Sequence, residues 1–120
     1  MSVLFLGTKI SWICENGQLS VIDELINDEL SSYVTYTNVH VVVTAKKNSQ
    51  LRHAINSANL VSPDGMPLVK LGKLAGANCI EKCSGPDMML KIIENGLDKG
   101  YTHYFYGSTD NTLRGLGQMA

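Results

Sequence analysis

Short apolar runs alternate along this chain with segments in which apolar residues recur every three or four positions. The runs predict strands, of which residues 3–6 and 60–61 have the composition of buried ones. Further strands are predicted at residues 9–14, 33–36, 79–80 and 102–106. Segments with helical spacing begin near residues 20, 49, 67, 84 and 112. Strands and helices therefore follow one another over most of the sequence.

Several boundaries are marked by residues that start or stop helices. Ser20 opens a capping-box pattern, and Ser49 offers a helix cap. Residues 15–17 predict a turn, while Gly76 and Gly100 can close the helices that precede them. These signals predict that the first amphipathic helix begins at residue 20.

The segment at residues 39–45 fits two structures. Three consecutive β-branched valines at residues 41–43 favour a strand. The apolar positions of the same segment can instead line one face of a helix. Propensity alone predicts a strand here.

The alternation of strands and helices is typical of a parallel sheet covered by crossover helices, so the predicted fold class is α/β. We expect a Rossmann-like, mostly parallel sheet with crossover helices on both faces, formed by residues 1–120 as a single domain. Ligands of such sheets bind beyond the carboxyl ends of the strands. Four polar turns are therefore predicted to lie along one edge, at residues 37–38, 63–65, 84–85 and 107–108.

Composition mainly excludes several classes of protein, namely nucleic-acid binders, cysteine-based metal or redox proteins and membrane-spanning proteins. Apolar residues make up 44%, charged residues 18% and the formal net charge is −1, so we expect a globular protein with no nucleic-acid partner. Cys14, Cys79 and Cys83 lack the spacing of a zinc or redox motif and predict reduced thiols. No apolar run approaches the roughly 20 residues of a membrane span, and the first residues lack a leader pattern. We expect a cytoplasmic protein, attached at most to a membrane surface.

Asp64 is the first candidate for chemistry. It directly follows a predicted buried strand, and Pro63 and Gly65 on either side constrain the backbone that presents its carboxylate. A carboxylate held at the edge of a sheet can act as a general base. The alternative is structural, because Pro-Asp-Gly is also an ordinary turn sequence.

Candidate phosphate-binding groups give weaker signals. Gly107 and Ser108 lie between a predicted strand and a helix, where N–H groups and a hydroxyl can face a phosphate or form an ordinary loop. The helix start around Gly85 and Asp87 can likewise face an anion, or simply be well capped. Lys82 can neutralise a diphosphate, although a single lysine is also typical of a solvated surface.

Histidines and carboxylates give no metal signature. The three histidines share no metal-like spacing, and only His40, beside the turn at residues 37–38, has a position that favours a site. No Asp-x-Asp clamp, His-Glu-x-x-His motif or Gly-x-Ser-x-Gly elbow occurs in the sequence. We therefore expect no metal site and no cofactor.

Several motifs follow one another in a fixed order, at residues 38–40, 51–54, 58–61 and 63–69. Together they resemble the central motifs of the WecG/TagA/CpsF glycosyltransferases, family 26. Residues 81–89 are similar to the family's Glu-Arg-x-x-Gly-x-Asp-Leu segment, and residues 105–108 to its strand ending in Gly-Gly. Because the motifs extend over nearly all 120 residues, their order is more specific than any one of them.

The resemblance implies an enzyme, an inverting and metal-independent hexosyltransferase of the bacterial cell envelope. It would move a sugar, often N-acetylmannosamine, from a UDP donor to a polyprenyl-diphosphate-linked acceptor at the cytosolic face of the membrane. The family's products are wall teichoic acid linkage units, enterobacterial common antigen and capsular or exopolysaccharides. The resemblance also implies a helix at residues 39–45, against the propensity of the valines.

The resemblance assigns roles to two residues directly. Asp64 matches the aspartate proposed as the family's catalytic base, and Asn38 matches its active-site asparagine. A positioned carboxylate fits the chemistry, since the acceptor hydroxyl must lose its proton as it attacks the anomeric carbon. Together with the candidates above, the predicted substrate-binding residues are Thr37, Asn38, His40, Gly65, Lys82, Gly85, Asp87, Gly107 and Ser108.

The sequence departs from the family pattern in three respects. Tyr36 stands where the family has threonine, so Thr35 or Thr37 can replace that threonine only if the register shifts. Lys82 stands where the family has an arginine thought to hold the diphosphate, and it keeps the charge but loses the bidentate fork. The family's second half, with further nucleotide-binding residues and a C-terminal membrane-docking segment, is absent after Gly107.

Two functions are therefore open. The first is the enzyme, acting in the cytoplasm or peripherally at the inner face of the cell membrane. The second is a non-catalytic, truncated domain for nucleotide-sugar binding or assembly. Such a domain would need a partner chain, for example a second copy of itself, to cover the exposed edge of the sheet.

Overall fold

The computed structural model describes residues 2–11, 13–28, 31–76, 80, 84–107 and 109–119. Within these ranges the chain forms four strands and six helices. They are, in chain order, β1 (Ser2–Phe5), β2 (Thr8–Ser11), α1 (Glu15–Asn27), β3 (Val34–Thr37), α2 (Val39–Lys47), α3 (Ser49–Asn56), β4 (Leu60–Pro63), α4 (Met66–Leu74), α5 (Gly85–Gly96) and α6 (Asp110–Met119). The chain divides into two compact units, Met1–Met88 and Met89–Ala120.

A parallel pair of strands organises the first unit. β3 pairs in parallel with β4, with Val34 opposite Leu60 and Thr37 opposite Pro63. Helices α2 and α3 form the crossover between the two strands. The mixed α/β class is thus confirmed. This pair is all the parallel pairing in the described part of the chain, so the larger Rossmann-like sheet stays a prediction.

The first two strands form an antiparallel hairpin. Phe5 lies opposite Thr8, and the two-residue turn between them has a φ of 50° at Leu6 and 85° at Gly7. Such a turn matches the right-handed twist of a hairpin. The strand predicted at residues 3–6 is confirmed as β1, but it is not buried, because Leu4 is 71% exposed while Ile10 on β2 is fully buried.

Asn56 at the end of α3 holds this hairpin against the rest of the unit. Its Oδ1 accepts a hydrogen bond from the Lys9 backbone N–H at 2.8 Å, and its Nδ2 donates to the Gly7 carbonyl at 2.9 Å. At the end of β2, Ser11 Oγ accepts the Val61 N–H at 2.8 Å. Two polar side chains thus fix β2 beside β4.

Helix α1 begins five residues earlier than predicted, and the predicted turn at residues 15–17 is its first turn. The Cys14 carbonyl accepts the Gln18 N–H at 3.0 Å, which closes that turn. Gln18 and Ile22, one turn apart, are both buried. Burial of this face extends the helix past the local turn signal, and Ser20 lies within the helix instead of capping it.

Residues 39–47 form helix α2, so the strand predicted from propensity is wrong and the helix implied by the family resemblance is confirmed. Asn38 caps the helix, because its Oδ1 accepts the Val41 N–H at 2.9 Å. Val42 and Ala45, three residues apart, are 2% and 0% exposed. The cap and the burial of one helical face outweigh the β propensity of the valines.

Asn48 joins α2 to α3. It ends α2 with its N–H bonded to the Ala45 carbonyl at 3.2 Å, and its Oδ1 accepts the Leu51 N–H at 3.1 Å to start α3. The helix bounds match the predicted segment, but the cap is Asn48 and not Ser49. One residue therefore caps the C-terminus of α2 and the N-terminus of α3.

The core of the first unit lies between the strands and helices α2 to α4. Gly72 lets α4 approach Ile80 closely, since a Cβ on Gly72 would lie 2.6 Å from Ile80 Cδ1. The helix starts with Pro67 in its first turn and is followed by Gly76 at a φ of 96°, as predicted. The buried apolar cluster comprises Ile10, Val42, Ala45, Ile55, Ala58, Val61, Leu68, Val69 and Ile80.

A buried hydrogen bond links α1 to β4. Gln18 and Ser62 are both fully buried, and Gln18 Nε2 donates to Ser62 Oγ at 2.9 Å. Gln18 Oε1 has no partner among the described residues. The bond fixes the inner face of α1 to the strand that ends just before Asp64.

The second unit holds the end of α5 and helix α6. Helix α5 ends at Gly96, and a turn follows in which the Tyr101 N–H donates to the Gly96 carbonyl at 3.3 Å and Gly100 has a φ of 70°. Helix α6 begins at Asp110, two residues before the predicted start, and the Thr109 Oγ1 accepts the Thr112 N–H at 3.3 Å.

The strand predicted at residues 102–106 is not formed. Exposed Tyr104 and Tyr106 alternate with half-buried His103 and Phe105, which is strand-like spacing, but no described strand pairs with this segment. Without a ladder partner the alternation alone does not make a strand.

Of the predicted strand at residues 79–80, Cys79 lies outside the described residues and Ile80 is not in a strand. No helix in the described ranges is both long and apolar enough to cross a bilayer.

The junction between α2 and α3 gives a matched pair of variants. Asn48→Ala removes the side-chain acceptor that caps α3 and should lower the free energy of unfolding by about 1 kcal/mol. Ser49→Ala, one residue later, should change it by less than about 0.5 kcal/mol. Urea unfolding followed by circular dichroism measures both, and equal losses would show that the cap is not Asn48.

The buried bond between Gln18 and Ser62 predicts non-additive effects. Ser62→Ala leaves a buried amide without its acceptor and should cost about 1–3 kcal/mol of stability. Gln18→Met should also cost stability, because the Ser62 hydroxyl loses its donor. The double variant should be destabilised by about 1 kcal/mol less than the sum of the two. Additive losses in a denaturant double-mutant cycle would contradict the bond.

Candidate functional site

A pocket of about 190 Å³ opens where β3 and β4 end. Because the two strands are parallel and in register, the residues that follow them emerge side by side. Helices α2 and α4 also begin here, so the first residues of both helices form the walls. The lining residues are Asn38, Val39, His40, Asp64, Gly65, Pro67 and Leu68.

Asp64 is the first residue after β4 and is half-buried. Its N–H donates to the Thr37 carbonyl at 2.9 Å, which continues the strand pairing by one bond. Gly65 then takes a φ of 131°, a conformation that favours glycine, and turns the chain directly into α4. The backbone around Asp64 is therefore held on both sides. In the described part of the chain, no donor binds its carboxylate, which leaves that group available for a ligand.

Asn38 faces the pocket with one of its two polar groups already engaged. Its Oδ1 accepts the Val41 N–H and caps α2. The Nδ2 group is then the part of the side chain that can donate to a ligand. A hydroxyl or carbonyl oxygen of a sugar is a suitable acceptor for it.

His40 and Thr37 have different positions. His40 is exposed in the first turn of α2 and lines the pocket, so an imidazole, an amide and a carboxylate share one cavity. Thr37 is only 1% exposed and does not line the pocket. Its carbonyl instead holds the N–H of Asp64, which makes Thr37 part of the support beneath the site.

The predicted anion-facing turn at Gly85 and Asp87 is a capped helix start. Ser84 Oγ accepts the Asp87 N–H at 3.3 Å, and the Ser84 carbonyl accepts the Met88 N–H at 3.0 Å. Gly85 lies near β3, since a Cβ there would be 3.6 Å from Tyr36 Cδ2. Neither Gly85 nor Asp87 lines the pocket, and a ligand-binding role for them stays a prediction.

Three other predicted residues cannot be related to this pocket. Lys82 and Ser108 lie outside the described residues. Gly107 belongs to the second unit, where it is exposed and has a φ of 113°. The pocket therefore brings together Asn38, His40, Asp64 and Gly65 from the predicted set.

The apolar part of the pocket wall was not anticipated as part of the site. Val39, Pro67 and Leu68 line it because they directly follow the predicted polar turns. Their positions could have been predicted from the sequence, because a helix that follows a strand begins at the same edge of the sheet as the turn between the two. The Gln18–Ser62 bond behind β4 has no such local signal.

A second pocket of about 300 Å³ is lined by apolar residues of α1 and the start of β3. Its polar groups are Ser32 and the Tyr33 phenol, whose hydroxyl donates to the Ala54 carbonyl. None of its described lining residues has a carboxylate or an imidazole, so the smaller Asp64 pocket is the better candidate for catalysis. Within the described ranges, no group of three or more His, Cys, Asp or Glu side chains could hold a metal ion.

The family model of WecG/TagA/CpsF glycosyl transferases matches residues 3–119. The chain is also similar to N-acetylglucosaminyldiphosphoundecaprenol N-acetyl-beta-D-mannosaminyltransferase of Bacillus spizizenii, with 20% identity over 88 residues. That match covers 73% of this chain and 34% of the relative, so the chain spans about a third of the relative's length.

Nearly the whole chain is included in the family match. The chain therefore belongs to the WecG/TagA/CpsF glycosyltransferase family.

Proposed function

We propose that this chain carries the catalytic-base side of a glycosyltransferase site. The enzyme would move N-acetylmannosamine or a related sugar from a UDP donor to a polyprenyl-diphosphate-linked acceptor, in the synthesis of cell-surface polysaccharide or teichoic acid. The observation that carries the proposal is the shared pocket of the Asp64 carboxylate, the Asn38 amide and the His40 imidazole. The name of the Bacillus relative supports this choice of donor sugar and acceptor.

The proposed reaction needs one base and no metal. An acceptor hydroxyl oxygen attacks the anomeric carbon of the donor sugar, and Asp64 takes the hydroxyl proton. The bond between the anomeric carbon and the phosphate oxygen breaks, and UDP leaves with that electron pair. Attack from the side opposite to UDP inverts the anomeric configuration. A half-buried carboxylate on a fixed backbone suits this role, because it needs no rearrangement before it accepts the proton.

The other predicted residues would bind the substrates. Asn38 Nδ2 would donate to a sugar or acceptor hydroxyl, and His40 would lie beside it. Lys82 and the turn at Gly107 and Ser108 would face the donor diphosphate, with Gly85 and Asp87 near them. The reaction would take place in the cytoplasm, at the inner face of the membrane that holds the lipid-linked acceptor.

A second function is favoured by the size of the pocket. Sites for small molecules usually enclose about 300–1,000 Å³, whereas this pocket has about 190 Å³. This small volume fits a non-catalytic domain that binds a nucleotide sugar or assembles with a partner chain, such as a second copy, to complete the site.

Asp64→Asn separates a catalytic role from a structural one. The change removes the base and should lower the rate of sugar transfer by about 10²–10⁴-fold. Because the backbone holds Asp64 in place, the free energy of unfolding should change by less than about 0.5 kcal/mol. Transfer is measured with UDP-N-acetylmannosamine and a lipid-diphosphate-linked acceptor, and stability by urea unfolding.

The matched control is Asp98→Asn, which removes an exposed carboxylate in the second unit. It should change neither the rate of sugar transfer nor the free energy of unfolding. A large loss of stability in Asp64→Asn would make this residue structural. Donor binding without turnover in the unchanged chain would support the second function instead of the first.

Donor binding is tested by calorimetric titration with UDP and UDP-N-acetylmannosamine. Lys82→Ala should weaken binding of both, because it removes the proposed charge partner of the diphosphate. Lys73→Ala, which removes an equal charge at the far end of α4, should leave the affinity unchanged. Equal weakening by both variants would indicate a general effect of charge, and no binding at all would show that this chain holds no donor site.

A further inference from the structure

The main chain of residues 102–106 has no hydrogen-bond partner in the part of the chain that the structure describes. Just before this segment, the Tyr101 N–H donates to the Gly96 carbonyl at 3.3 Å, and just after it Thr109 caps α6. The segment thus lies between two anchored ends while its own N–H and C=O groups stay unpaired. Main-chain groups pair with protein or with water, so this segment can accept a partner strand.

The side chains of the segment alternate as they do in a strand. His103 and Phe105 are half-buried, whereas Thr102, Tyr104 and Tyr106 are exposed. The His103 and Phe105 rings stack, with centroids 6.5 Å apart and 11° between their planes. Side chains two residues apart point to the same side where the chain is extended. The segment is therefore extended and presents its main-chain groups along its edges.

The composition of the segment favours pairing with another chain. Residues 102–106 read Thr-His-Tyr-Phe-Tyr and include no Asp, Glu, Lys, Arg, Pro or Gly. Aromatic residues and threonine have high strand propensity. Proteins protect a free strand edge with charged residues or proline, and this segment contains neither.

The segment is complementary to itself in the antiparallel direction. When Tyr104 lies opposite the same residue of a second copy, His103 lies opposite Phe105. Thr102 then lies opposite Tyr106. The two rings that stack within one copy would meet the same two rings of the other copy on one face, and aromatic pairs across strands are stabilising. No like charges face each other. A twofold axis at Tyr104 makes the contact identical from both sides.

We propose that residues 102–106 pair antiparallel with the same residues of a second copy, centred on Tyr104, and so form a dimer. Main-chain hydrogen bonds hold the two strands together, and the aromatic side chains set their register. The pairing does not rest on the proposed function, because no residue that lines the Asp64 pocket takes part.

The register is tested with cysteine variants of the 120-residue chain. Opposite residues of an antiparallel pair have Cα atoms about 4.5–5.5 Å apart, which suits a disulfide. Tyr104→Cys should therefore form a disulfide between copies under mild oxidation. Tyr106→Cys is the matched control, because its two copies would lie about 13 Å apart along the strands. Trypsin releases residues 100–114 as one peptide, so mass spectrometry identifies the linked pair apart from the other cysteines.

The dimer itself is measured by sedimentation equilibrium over a wide range of protein concentration. Tyr104→Lys would place like charges opposite each other and should raise the dissociation constant about fivefold or more. Leu97→Lys adds the same charge at another exposed position of the second unit and should leave the constant unchanged. Circular dichroism verifies that both variants are folded.

Hydrogen exchange separates pairing between copies from pairing within one chain. The amides of residues 102–106 should become more protected as the protein concentration rises. Protection that is independent of concentration would show a partner strand in the same chain and overturn the proposal. A chain that stays monomeric, equal cross-linking of the two cysteine variants, or equal effects of the two lysine variants would overturn it as well. The UDP titration tests the proposed function separately, so either idea can fail alone.

Discussion

The register of the β3–β4 pair is the constraint on which the site depends. Thr37 lies opposite Pro63, and the Thr37 carbonyl accepts the N–H of Asp64. Both strands therefore end at the same level, and the helices that follow them start side by side. A shift of this pairing by one residue would turn the end of one strand to the opposite face and separate Asp64 from Asn38. The pocket is a consequence of strand pairing, and its chemistry is added by the residues at the two ends.

Much of the fold near the site could be predicted from local signals. The end of β4, the turn around Asp64, the start of α4 at Pro67 and the bounds of α3 all agree with their turn and capping residues. The start of α1, helix α2 and the segment at residues 102–106 could not. In these cases burial of Gln18, burial of Val42 and the lack of a partner strand decided the structure. Each of these is a tertiary effect that no short window of sequence contains.

The residues of the site also divide into those that local signals predicted and those that they did not. Asn38, His40, Asp64 and Gly65 were predicted from their positions after strands, and the structure places them in one pocket. The support behind them was not predicted, because the Gln18–Ser62 bond joins residues 44 positions apart. Thr37 was expected to meet substrate, but it is buried and holds Asp64 through its carbonyl. Polar groups that pair across the core leave no periodicity or spacing in the sequence from which they could be inferred.

The bond between the Thr37 carbonyl and the Asp64 N–H joins two main-chain groups. Every amino acid except proline has both groups, so the location of the carboxylate does not depend on which side chains surround it. Substitutions at neighbouring positions can alter the wall of the pocket without moving the main chain that presents Asp64. A pocket built in this way can change its shape and polarity while the position of the residue at its centre stays set by the backbone.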